Sequence, residues 1–334
     1  MSYLFLSCII FVFSAYAVAQ PFRPTLLLQV QTAAVNDGDE HKSDSEVRRE
    51  RFGVKSDLTS NVHLSGTANV KLEDGDFYEN HSQVYLRYSW FGNSKKEFIK
   101  GALYLGKLKP RFGREYTTPA KKLLTVERSF FSSLLAPRKT SGAEIIGFIT
   151  ETVWLSFGIY SGERDDGWSS FSDQDPVLIL KIKQKLSDEW RLLTDVLLPT
   201  GEQEITYPTD GGLSLTLEYQ KKETATWSGW WEVAGVKKHG EGNNLWSTTL
   251  HAHKNSGEGG TWVLRGHLLQ KKGGTGLPKR YERMLEQVGD EDLYASLYVG
   301  YNHTLKESPW IELKVGLEQS TYAFTGFTGL QLSL

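Results

Sequence analysis

The chain has 334 residues, 23% of them charged, and a formal net charge of −2, which excludes the basic excess of a nucleic-acid binder. Its one cysteine, Cys8, lies in the N-terminal stretch read below as a signal peptide, so a disulfide framework, thiol catalysis and cysteine-based metal sites are not expected in the mature chain. Thirty-two Gly, ten Trp and fifteen Tyr beside two Met, with negative mean hydropathy, suit a chain in which apolar and polar residues alternate.

Met1 to Ala19 holds an apolar run from Leu4 to Phe13 and then the small residues Ala17-Val18-Ala19. This pattern predicts a signal peptide cleaved near Ala19-Gln20, although Met-Ser-Tyr ahead of the run carries no Lys or Arg. No later stretch approaches the roughly 18 apolar residues of a transmembrane helix. Nothing like a Pro/Ser-rich linker divides residues 20–334, so one domain is expected.

From there period-two alternation dominates. Asn61 to Leu72 sets Val62, Leu64, Gly66, Ala68, Val70 and Leu72 against Asn61, His63, Ser65, Thr67, Asn69 and Lys71. Leu213, Leu215, Leu217 and Tyr219 alternate with Ser214, Thr216, Glu218 and Gln220, and Ile311, Leu313, Val315 and Leu317 with Glu312, Lys314, Gly316 and Glu318. The pattern predicts sixteen strands, over 24–34, 45–56, 61–72, 81–90, 97–108, 141–150, 152–161, 175–185, 189–198, 213–221, 225–236, 244–254, 261–271, 291–302, 308–318 and 321–334. An even number of strands near ten residues long, joined by alternating short (57–60, 91–96, 222–224) and longer (109–140, 162–174, 199–212, 272–290) connections, predicts an all-β fold, a transmembrane antiparallel β-barrel. A soluble β-sandwich would also alternate. Against it, Tyr88, Trp90, Trp227, Trp231, Trp246, Trp262, Trp310 and Tyr322 fall near predicted strand ends, where interfacial girdles belong. Leu330, Leu332 and Leu334 also end the sequence on one face of a predicted strand.

The strand phase assigns side chains to the lumen. With Phe52 and Val54 facing lipid, Arg49, Arg51 and Lys55 point inward. With Leu178, Leu180 and Ile182 outward, Lys181, Lys183 and Lys185 do the same, and Arg87 and Arg265 lie on inner faces too. A Lys or Arg facing lipid near the midplane costs roughly 2–4 kcal/mol, so a wet lumen is the better place for them. The longest connection, Lys109 to Thr140, carries Lys109, Arg111, Arg114, Lys121, Lys122, Arg128, Arg138 and Lys139 against Glu115 and Glu127. Its apolar residues Leu123, Leu124, Val126, Phe130, Phe131, Leu134 and Leu135 would fix it against a wall. A basic loop folded into a pore forms a constriction that attracts anions and repels cations.

Several of these segments resemble the phosphate-selective porin O and P family: Glu46-Val47-Arg48-Arg49-Glu50-Arg51-Phe52-Gly53-Val54-Lys55, Gly106-Lys107-Leu108-Lys109-Pro110-Arg111-Phe112-Gly113, Glu127-Arg128-Ser129-Phe130 and Ala136-Pro137-Arg138. The resemblance implies a sixteen-stranded, homotrimeric anion channel of the bacterial outer membrane, embedded in its lipid, with phosphate or a related oxyanion as solute and no cofactor. On that implication Lys109, Arg111, Arg114, Lys121, Lys122 and Arg128 are candidates for the constriction. Arg49, Arg51, Lys55, Arg87, Lys181, Lys183 and Lys185 are candidates for a lumen ladder. Glu127 is expected to pair with a neighbouring Arg.

Other motifs carry less. His251 and His253, two apart on a predicted strand, project together into the lumen without an evident third metal ligand, so lumen polarity rather than a metal site is expected. The acidic clusters Asp37 to Glu40 and Glu73 to Asp76 fall in predicted outer loops as solvated charge. No phosphate-cradling Gly-Lys-Ser/Thr loop, dinucleotide fingerprint or nucleophile elbow occurs, so no enzyme is expected. The alternative to an anion porin is a general porin, or a closed barrel with a structural or adhesive role.

Overall fold

The computed structural model describes residues 22–36, 41–69, 80–91, 100–119, 122–126, 128–129, 132, 139–161, 175–201, 211–221, 227–237, 244–257, 259–272, 293–320 and 324–333. The expected leader, both acidic clusters, Lys121, Glu127, Arg138 and most of the second half of the long loop lie outside these residues.

Among the described residues the chain forms β1 (Arg23–Asn36), β2 (His41–Asp57), β3 (Val62–Asn69), β4 (Asn80–Phe91), β5 (Lys100–Leu108), β6 (Thr140–Phe148), β7 (Val153–Tyr160) and β8 (Val177–Lys185). It continues with β9 (Trp190–Pro199), β10 (Gly211–Tyr219), β11 (Trp227–Lys237), β12 (Asn244–Gly257), β13 (Gly260–Lys272), β14 (Leu293–Leu305), β15 (Ser308–Ser320) and β16 (Phe324–Ser333). Each strand pairs antiparallel with its neighbours in sequence, and β1 pairs with β16, Leu28 opposite Leu332, to close the barrel. Closure leaves no sheet edge, the condition for a β structure in hydrocarbon, where an unpaired backbone group finds no water. One rim carries short turns, such as Leu58 to Asn61 and Ser187 to Glu189, while the longer connections and the basic loop leave from the other.

Residues are sorted as the alternation predicts, and the result is a soluble protein turned inside out. Leu215, Val315 and Leu317 are exposed on the outer wall, while Ser214, Thr216, Lys314 and Glu318, their neighbours in sequence, are buried in the interior. Exposed Trp190, Trp227, Trp262 and Trp310 all sit at strand ends on the short-turn rim, and Trp262 packs on Tyr301 with ring centroids 4.8 Å apart. Such a belt suits a membrane interface, because the ring is apolar and its N–H is polar.

Two departures from the expected strands have local causes. β2 begins at His41 rather than 45, because β1 runs on to Asn36 and the pairs Val35 with Lys42 and Asn36 with His41 extend the ladder. β5 loses its alternation at Gly106, where φ is 132° and a Cβ would stand 2.3 Å from the Val84 carbonyl oxygen. Lys107 and Leu108, on opposite phases, are then both buried. Only glycine permits this bend, and it turns the chain inward where the basic loop begins.

Candidate functional site

From Lys109 the loop passes into the barrel and docks on two walls. Phe112 is buried with Leu108, Tyr160, Val177, Ile179 and Leu197 in an apolar cluster near the long-loop rim. Gly113 follows with φ 75°, a left-handed conformation, and its N–H donates to Asp195 Oδ2 at 2.8 Å. The next N–H, of Arg114, donates to Glu232 Oε1 at 2.9 Å, and Ser214 Oγ donates to the same oxygen at 2.7 Å. Two backbone amides are thereby held by carboxylates of β9 and β11, and the single helical turn α1 (Arg114–Thr117) starts from this anchor.

The second anchor is on β13 to β15. Arg265, fully buried, lies 3.1 Å from Glu115 and 3.3 Å from Glu318, and its guanidinium lies over the Tyr298 ring at 5.3 Å. Glu115 also accepts hydrogen bonds from the Ser129 N–H at 2.7 Å and the Ser129 hydroxyl at 2.5 Å. Burial would raise the Glu115 carboxyl, but Arg265 and these donors outweigh it and hold the group at about 2. Further along, Lys314 donates to the Leu123 carbonyl and Asn302 Nδ2 to the Leu124 carbonyl at 2.6 Å. The loop therefore crosses the lumen between two fixed walls.

Three further ion pairs differ from these in exposure. Arg111 lies 2.6 Å from Glu144, with side chains 34% and 2% exposed. Arg114 pairs with Glu218, 32% against 8%, and Lys183 approaches the same carboxylate at 3.5 Å, 38% against 8%. In each pair the base faces water and the acid lies behind it. Charge attracted from the lumen therefore meets guanidinium and ammonium groups first.

The remaining predicted residues fall around this core. Lys109 donates to the Tyr116 carbonyl and sits over the Tyr116 ring at 4.1 Å, and Arg128 lies 5.9 Å from the same ring and donates to the Thr118 carbonyl at 3.0 Å. Arg51 donates to Asn69 Oδ1 at 3.0 Å. Lys122 and Lys55 are exposed, Arg87 is opposite His63 on β3, and Lys185 pairs with Asp188 at 2.5 Å near the short-turn rim. Lys181 is buried, 3.0 Å from Asp195, so it supports the loop anchor and has little contact with the lumen water. Arg49 lies on β2, and its side chain falls outside the described residues, as does Lys121.

The acidic partners Glu115, Glu144, Asp195, Glu218, Glu232 and Glu318 were not singled out by the sequence pattern. All except Glu115 lie on strands, in the polar phase, and that phase was their only signal. Among the described residues no group of three or more His, Cys, Asp and Glu is arranged to hold a metal ion.

Comparison with known proteins agrees with the resemblance noted in the sequence. Residues 28–175 match the family model of phosphate-selective porin O and P. The matched stretch contains β2 to β7 and the whole basic loop, hence every constriction candidate. No curated protein matches the chain. Among solved structures the barrel is similar to OprB of Pseudomonas putida, with TM-score 0.64 at 9% identity over 94% of this chain and 94% of that one. It is similar to OmpT of Vibrio cholerae in a trimer form, with TM-score 0.59 at 10% identity over 95% and 100%. It is also similar to an anion-selective porin from Comamonas acidovorans, with TM-score 0.57 at 12% identity over 94% and 100%. The fold is that of a porin.

Proposed function

We propose that the chain is a bacterial outer-membrane porin through which small anions, phosphate-class oxyanions among them, diffuse passively without a covalent step. The observation that carries this reading is the exposure of Arg111, Arg114 and Lys183 in front of the buried Glu144 and Glu218. An anion leaving bulk water meets successive basic groups, each partly neutralised from behind, so contacts offset desolvation without trapping the ion. The match of residues 28–175 to the phosphate-selective family supports the oxyanion, since guanidinium forks suit phosphate oxygens. The tryptophan belt and the apolar outer wall support a membrane-spanning barrel, and OmpT in its trimer form is the precedent for a homotrimer.

The test is reconstitution in planar bilayers under a salt gradient. The expected result is a chloride current with a reversal potential favouring anions, reduced when phosphate is added. A reversal potential favouring cations would overturn the anion reading. An absence of conductance would instead support a closed barrel with a structural or adhesive role.

A further inference from the structure

On the short-turn side of α1 the lumen wall carries aromatic side chains set between the Glu218 ion pairs and the Arg265 anchor. One register row crosses β10 to β13: Glu218 stands opposite Trp230, Trp230 opposite His251, and His251 opposite Arg265. The Trp230 and His251 rings are stacked, 1° from parallel with centroids 5.2 Å apart. His253, two residues nearer the rim, is tilted 55° to His251 at 5.8 Å. His251 is only 6% exposed, and Nδ1 of each histidine is buried without a hydrogen-bond partner. His251 thus backs Trp230 from behind and holds its ring in one orientation, while Trp230 and His253 are themselves half-buried along the lumen.

The acids beside this aromatic surface are buried and engaged, Glu232 by the Arg114 N–H and Ser214, and Glu115 and Glu318 by Arg265, while the half-exposed charges are mainly basic. Glu218 is shared by Arg114 and Lys183 and also feels Arg191, so one carboxylate faces three cations. Arg191 donates to the neutral Gln220 at 2.5 Å. A flat ring and a surplus of cations together favour a ligand that is itself flat and negatively charged. Its ring can lie against indole while its charge is met by ammonium and guanidinium.

We propose that Trp230, His253, Lys183 and Arg191 form a second subsite in the lumen, selective for planar aromatic carboxylates. The arene packs on Trp230, and the carboxylate is held by Lys183 and Arg191 with an imidazole N–H of His253 as a further donor. Such a subsite gives the pore a preference by shape among anions of equal charge. The inference depends on the porin reading only for how the ligand arrives.

Fluorine NMR of 4-fluorobenzoate with the detergent-solubilised full-length protein tests it directly. The ligand line is expected to broaden, and benzoate should displace it about fivefold better than cyclohexanecarboxylate, which matches its charge but lacks a flat face; stacking is worth about two- to tenfold in affinity. Trp230→Leu should weaken binding by about fivefold and Lys183→Gln by a similar factor, whereas Trp230→Phe should stay within about twofold. Equal competition by the two carboxylates overturns the subsite, as does equal binding by the Leu and Phe variants. If Trp230→Leu does not fold, the competitor pair on the natural protein still decides. A natural protein that binds 4-fluorobenzoate as expected but passes no anion current in bilayers would sink the porin reading and leave the subsite standing.

Discussion

The ion pairs of the lumen fall into two regions with opposite uses. Around Arg265 and Lys181 both partners are out of water: Arg265 and Glu115 are 0% and 4% exposed, Lys181 and Asp195 6% and 0%. Around Arg111, Arg114 and Lys183 a third or so of each base faces the lumen. The same chemistry, base against carboxylate, therefore does two jobs according to its depth. Buried pairs fix the position of the loop, because breaking one leaves a charge with neither water nor partner. Half-exposed pairs contribute little to stability and leave positive charge in contact with the lumen.

The largest effect should come from breaking a buried pair. Arg265→Leu strands Glu115 on the loop and Glu318 on β15 together, and the loss should be about 3–5 kcal/mol. Lys183→Gln, in the exposed group, should cost under about 1 kcal/mol. Urea unfolding of both variants from lipid vesicles gives the comparison directly. If Lys183→Gln is the more costly, depth does not divide the pairs as argued. Gly113→Ala should come next, at about 1–2 kcal/mol, since φ 75° is unfavourable for alanine and any shift moves the N–H away from Asp195. A wider pore, seen as a raised single-channel conductance, should accompany the loss of loop anchoring in both Arg265→Leu and Gly113→Ala.

What the sequence made legible follows the same division. Alternation reported the phase of strands such as β10 and β15, because lipid outside and water inside punish a one-residue slip along the whole strand. It placed β8 correctly, with Lys181, Lys183 and Lys185 on one inner face. It could not separate Lys181 from Lys183, because their difference is supplied by β9 and by the loop: Asp195 stands opposite Lys181, and Gly113 closes over that pair. The count of six basic residues and no acid on two strand faces stopped short of Asp57, which ends β2 in the phase of Lys55. It did not include the acids that neighbouring strands bring to the same lumen. Glu218 and Glu318 were visible as polar-phase residues, but their partners, Arg114 and Arg265, are 104 and 53 residues away in sequence. The Trp230 and His251 stack was hidden for the same reason, since cross-strand register joins residues that no local pattern connects.

A pH titration sharpens the buried side of the comparison. Glu115 is held at about 2 against an ordinary 4.5, so its folded form stays ionised where the unfolded form has begun to take up protons. Because the folded value is depressed, its contribution is present in full above about pH 4.5 and is lost as pH falls towards about 2. Glu115→Gln should therefore be less stable than the natural protein at pH 7, with the gap closing between about pH 4.5 and 2. A gap that stays constant over that range would mean that the Glu115 charge does not hold the loop.

The smallest change in stability, and the most telling for function, belongs to the exposed group. Arg111→Gln, Arg114→Gln and Lys183→Gln each remove one lumen-facing positive charge and leave the acid behind it in place. A unit charge about 4 Å from an ion in water contributes about 1 kcal/mol, or about fivefold in local ion concentration. Each variant should lower the chloride-to-potassium permeability ratio by up to about that factor, and the triple variant should move the reversal potential towards cations. The shift should be larger at low salt, because these charges are in contact with water and screening reaches them. Arg265→Leu should show no such salt dependence in its stability loss, since screening does not enter a site with 0% exposure. Equal salt dependence in the two groups would mean that the lumen charges act as one field rather than as anchors and presenters.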